Sequence, residues 1–178
     1  MTPRILVAGI GNIFLGDDAF GSEVARQLLR REWPAHVRVE DFGIRSFDLV
    51  FALSVGYETV ILVDVTPRGG TPGTVYTIEP DLIDLGAEAQ QPAALDGHSM
   101  DPMLVLATAQ RMGAPLRRVL IVGCEPVLET IDPNGAGMMG LSAPVRAAMA
   151  EAIAVIETLV AQITSEASRQ RTRAIGGG

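Results

Sequence analysis

The chain has no lysine, one cysteine, two histidines and few aromatic residues, which make up 4% of its 178 positions. Each shortage removes a class of explanation. Without lysine there is no glycine-rich phosphate loop ending in Lys, and neither His-Glu-x-x-His nor Gly-x-Ser-x-Gly occurs. The lone Cys124 rules out an internal disulfide framework and fits a reducing compartment. All 14 basic residues are arginines scattered along the chain, and the formal net charge is −7. Phosphate neutralisation needs a positive patch, so nucleic acid is not an expected partner. The apolar start is too short for a signal-peptide core, and no uninterrupted apolar stretch approaches the roughly 20 residues that cross a bilayer. The expectation is a cytoplasmic monomer that makes no use of the membrane.

Apolar material, by contrast, is ample at 48% of residues, and the length suits one core. We expect a single α/β domain over residues 1–164 and a disordered tail over 165–178, which closes on three glycines. Residues 5–10 and 60–65 are continuous apolar runs, as in strands buried on both faces. Residues 37–42 and 118–122 supply two more strands. Residues 19–31 carry Phe20, Val24 and Leu28 at helical spacing, and residues 47–53 suit a short helix. A β-like run over 74–78 follows residues 60–65 through a Pro- and Gly-rich connection too short for a crossover helix, so it should pair antiparallel at an edge. Ser99 is placed to cap a helix reaching about Met112, with Pro102 in its first turn and Leu104 and Ala107 facing the core. Ser142 and Pro144 open a last helix with Val145, Met149, Ala152, Ile156 and Val160 on one stripe. The sum is a three-layer α/β/α sandwich around a mostly parallel five-stranded sheet with one antiparallel strand.

In such sheets ligands bind beyond the carboxyl ends of the strands, where strand order reverses. The polar residues expected there are Asn12, Asp17 and Asp18, then Asp41, Asp64, Cys124 and Glu125. His98, in Asp96-Gly97-His98-Ser99, joins them from a loop, whereas His36 precedes the second strand at the opposite end. A dinucleotide site fails at its third glycine, which is Phe14, and two aspartates stand where pyrophosphate would approach. Asp17-Asp18 has an ordinary explanation as a helix cap, and Asp64 as a turn acceptor. Cys124 reads as a small buried residue at a strand end. Two carboxylates and an imidazole nevertheless suit a borderline divalent metal such as zinc or nickel. Asp18, Asp64 and His98 are 46 and 34 residues apart in sequence, so only the fold could bring them together.

Several motifs occur in order: Gly9-Ile-Gly11-Asn12 with Leu15, Asp17-Asp18 and Gly21; Asp64 closing Ile61-Leu-Val-Asp64; Pro72-Gly73-Thr74; His98 before a helix; Val122-Gly-Cys-Glu-Pro126; and Gly140-Leu-Ser142. Over roughly residues 4–160 the chain thereby resembles the hydrogenase maturation endopeptidases, which trim the large subunit of nickel-iron hydrogenases. The resemblance implies that Asp18, Asp64 and His98 form both the metal site and the catalytic site. It implies no bound organic cofactor, and nickel arriving with a hydrogenase large-subunit precursor. The metal would either polarise the scissile carbonyl and activate water, or serve as a recognition handle. A metal-sensing binding module or chaperone that cuts nothing is the alternative. Asp18 stands where the family often has glutamate, and Asp41-Phe-Gly-Ile-Arg-Ser46 replaces its usual Asp-Gly-Gly-Thr. Asp41 and Glu125 are expected as supporting residues.

Overall fold

Three central strands hold the most continuous apolar runs, β1 (Ile5–Ile10), β3 (Thr59–Val65) and β5 (Arg118–Cys124), and nearly every residue in them is buried. β2 (Val37–Gly43) and the short β4 (Val75–Ile78) are more exposed edge strands. The computed structural model describes residues 4–82, 101–131 and 139–175, with side chains through 169. Sheet order is β2-β1-β3-β5-β4, with β4 antiparallel to β5 and every other pair parallel. The antiparallel edge and the mixed five-stranded sheet agree with the sequence reading.

Because side chains alternate across a strand, the central strands divide between two cores. Ile5, Val7, Ile61, Val63, Leu120 and Val122 point to one side, under α1 (Phe20–Leu28) and the long α4 (Ala143–Ile175). Leu6, Ala8, Ile10, Val60, Leu62 and Val119 point to the other, under α2 (Ser46–Ser54) and α3 (Pro102–Arg111). The expected stripe of α4, Val145, Met149, Ala152, Ile156 and Val160, is buried in the first core.

Several expectations need correction. The first helix is shorter than 19–31, because a 3-10 turn over Gly16–Ala19 precedes it and it ends at Leu28. Asp101, not Ser99, caps α3, accepting the Met103 amide at 2.9 Å and the Leu104 amide at 3.3 Å through Oδ1; Ser99 lies outside the described residues. Ala107 is buried as expected, but Leu104 is only half-buried, and Val105, Leu106 and Ala109 complete the inward face. α4 continues to Ile175, through most of the segment expected as a disordered tail. Residues 165–175 contain neither proline nor glycine, so nothing in the sequence stops the helix before the terminal glycines. Within α4, Ala143–Arg169 is also long and apolar enough to cross a bilayer by length and composition. No such segment was expected from uninterrupted runs, because its apolar residues are interleaved with polar ones; here they pack on the sheet.

The first turn of α1 rests directly on strand backbone. A Cβ on Gly21 would lie 2.0 Å from the Val63 carbonyl oxygen and 2.2 Å from that of Ile10. Only a residue without a side chain allows that approach. Gly21→Ala should therefore destabilise the protein by about 1–3 kcal/mol, the usual penalty for overpacking. Urea unfolding measures this, and an unchanged midpoint would mean that α1 can move away freely.

Candidate active site

β1 has β2 on one side and β3 on the other, so the connections leaving β1 and β2 run in opposite directions. Strand order reverses between β1 and β3, and a crevice opens beyond their carboxyl ends. Asp18 stands in the 3-10 turn after β1, and Asp64 is the penultimate residue of β3.

Asp18 is half-buried, and its Oδ2 accepts the Asn12 amide at 2.7 Å. Asn12 Oδ1 in turn accepts the Phe14 amide at 3.0 Å, which closes the loop on itself. A loop amide suited to phosphate is therefore already taken by a carboxylate, which argues against the dinucleotide reading. Burial raises the Asp18 carboxyl above its ordinary range, and the Asn12 amide offsets this in part.

Asp64 is only 7% exposed. Its Oδ1 accepts the adjacent Val65 amide at 2.8 Å. Burial pushes its carboxyl well above the usual range, and the negative charges of Asp18 and Asp101 push the same way, against the Val65 amide. The fold thus brings Asp18 and Asp64 within electrostatic reach of each other. Among the described residues neither forms an ion pair. Among the described residues, too, no three metal-ligating side chains converge. His98 lies outside those residues. Asp101 was not singled out from sequence; its place three residues after His98 was the available signal.

Asp41 shapes the neighbouring cleft. Its Oδ1 accepts the Gly43 amide and its Oδ2 accepts Arg26 Nε, both at 3.0 Å. The cleft, about 330 Å³, is lined by Asn12, Phe14, Arg26, Asp41, Ile44 and Arg45 among others. His36 sits at the other end of the sheet, where its carbonyl accepts the Ile5 amide and its Nε2 meets Thr164 Oγ1 at 3.0 Å.

The HycI model, described as hydrogenase maturation protease, matches residues 22–159. The chain belongs to the hydrogenase maturation protease family. A hydrogenase expression/formation protein, HupD of Rhodobacter capsulatus, is 32% identical over 166 residues, which is 93% of this chain and 77% of that one. Among solved structures, a hydrogenase 2 maturation peptidase from a Thaumarchaeota archaeon is 28% identical with a TM-score of 0.66, covering 89% of this chain and 98% of that one. The hydrogenase maturating endopeptidase HybD of Escherichia coli superposes with a TM-score of 0.69 at 23% identity, covering 89% and 93%, and shares the fold. The protein is accordingly a protease, a hydrolase in reaction class.

For this member of the family, the structure gives the two adjacent aspartates different partners. Asp17 caps no helix. It is fully buried and binds two distant segments. Its Oδ1 accepts the Ser142 amide at 2.6 Å, and its Oδ2 accepts Ser142 Oγ and the Val127 amide, both at 2.9 Å. Its own amide donates to Thr130 Oγ1 at 3.3 Å. Glu125, expected as a supporting residue, holds the 66–73 loop. Its carboxylate accepts the Arg68 and Gly69 amides at 3.0 Å and Tyr76 Oη at 2.8 Å. Burial alone would raise the Glu125 carboxyl, but the Tyr76 hydroxyl and the Arg68, Gly70 and Gly69 amides outweigh it and leave it lowered.

Cys124 is fully buried, and burial with the nearby Asp17 and Glu125 charges pushes its thiol up to about 12. Iodoacetamide at about pH 8.5, near the ordinary thiol range, should leave it unlabelled in the native protein and label it in urea. Mass spectrometry checks this; rapid native labelling would contradict its burial. Asp17→Ala should cost about 3 kcal/mol or more in urea unfolding, because it strips a charged acceptor from buried donors. A loss below about 1 kcal/mol would contradict a tie of this kind.

Proposed function

We propose that this protein is an endopeptidase that removes a short C-terminal peptide from the nickel-loaded precursor of a nickel-iron hydrogenase large subunit. Asp18, Asp64 and His98 would contact nickel that the precursor carries. One observation supports the reading most: two carboxylates are set together at the strand-order reversal, one of them almost fully buried, with no cation paired to either among the described residues. Buried acids are ordinarily paired or hold metals. Carboxylate oxygens alone would suit a hard cation, and an imidazole from His98 would complete a donor set fit for nickel.

Nickel bound there would supply either polarisation of the scissile carbonyl or a fixed point that aligns the tail. The chain's own residues do the remainder. The Asn12 amide orients Asp18, and the Val65 amide orients Asp64. The cleft between the first and second strand ends provides a channel for an extended peptide beside them.

The test mixes the protein with nickel-loaded and nickel-free precursor and measures subunit mass. Cleavage only with nickel is expected. Association without mass loss would favour the metal-sensing chaperone instead. Asp64→Asn and Asp18→Asn should lower processing at least about tenfold, since disturbing even an outer partner of a metal site costs about 10–100-fold. They should leave the thermal midpoint unchanged or higher, since each removes one of two neighbouring acids whose charges oppose each other. Wild-type processing in both variants would eliminate the site.

A further inference from the structure

α2 is apolar on both sides. Leu49, Val50 and Leu53 face the core, while Phe47, Phe51 and Val55 are 54%, 61% and 56% exposed. The exposed three are spaced four residues apart and so form one stripe along the helix and its cap. A helix that is apolar all round is ordinarily a buried one. This one lies on the outside of the domain.

Among the described residues, the two helices of this layer carry little charge. Across α2 and α3 the charged residues are Asp48 and Arg111, and Asp48 is paired with Arg45 at 3.3 Å. The opposite layer carries Glu23, Arg26, Arg146, Glu151, Glu157 and Glu166. The stripe also begins at the candidate site. Ile44 and Arg45 line the cleft and lead directly into α2. Phe14, 68% exposed, stands in the same lining. The stripe thus starts two residues after the cleft lining ends, across the exposed Arg45.

We propose that Phe47, Phe51 and Val55, with Phe14, form the docking surface for an uncharged, apolar patch of the precursor protein beside its cut tail, an inference that rests on the proposed function. Area argues for this occupant over a second copy of the chain. Half-exposed aromatic and aliphatic side chains of this number offer on the order of 400 Å². A stable interface takes about 800 Å² from each partner. The stripe alone falls short of a lasting dimer, but it suffices for a substrate that also fills the cleft and leaves after cleavage.

The experiment measures KM and kcat on whole nickel-loaded precursor for wild type, Phe51→Glu and Phe51→Ala, together with thermal midpoints and sedimentation velocity. The expected result is a KM raised about tenfold or more in Phe51→Glu and less in Phe51→Ala, with kcat within about twofold and unchanged midpoints. A KM within about twofold of wild type in both variants overturns the proposal. So does a wild-type dimer that Phe51→Glu dissociates, or a midpoint lowered by several degrees in both variants, which would assign the stripe to the chain's own packing. If wild type binds precursor without cutting it, the protease reading fails, and docking is then judged on Kd against the same thresholds. If wild type cuts and the variants keep their KM, docking alone fails.

Discussion

Beyond the carboxyl edge of the sheet, three segments meet on one carboxylate, two of them more than a hundred residues along the chain from the third. Asp17 comes from the turn after β1, Val127 from the loop after β5 and Ser142 from the start of α4. A charged acceptor serving several donors in a dry site is among the stronger polar contacts a protein makes. Its direct neighbour in sequence, Asp18, is thereby fixed in the crevice between β1 and β3. Asp17 holds the frame, and Asp18, the candidate ligand beside it, is positioned because the frame is held.

Much of this was legible from residue types and spacing. Continuous apolar runs gave the buried strands, and a connection without room for a helix gave the antiparallel edge. Roles inside a polar cluster were less legible. Asp17 and Asp18 look alike in sequence, and only tertiary packing shows that Asp17 bonds to residues 127 and 142 while Asp18 bonds to Asn12. The work of Glu125 was equally hidden: a carboxylate at a strand end can face a ligand or tie down a loop, and here the amides of 68 and 69 claim it. The reach of α4 was legible only as the absence of proline and glycine over 165–175, a weaker signal than the polar composition and the terminal glycines.

The site combines features that a purely structural protein would avoid. Asp64 is buried beside another acid and lacks a cation among the described residues, so its environment opposes the charge it would carry near neutrality. Local conflict of this sort is expected where a surface is shaped for a partner instead of for stability. The apolar outer face of α2 is a second instance on the same side of the cleft.

The end of β5 has a consequence for how this chain can vary in length. Within three consecutive positions, the Glu125 carboxylate grips the loop that follows β3, and the Val127 amide is gripped by the turn that follows β1. One inserted or deleted residue between 124 and 125 would pull both contacts out of register together, because both are set by their distance from the end of β5. Point changes there are survivable in principle; changes in spacing are not.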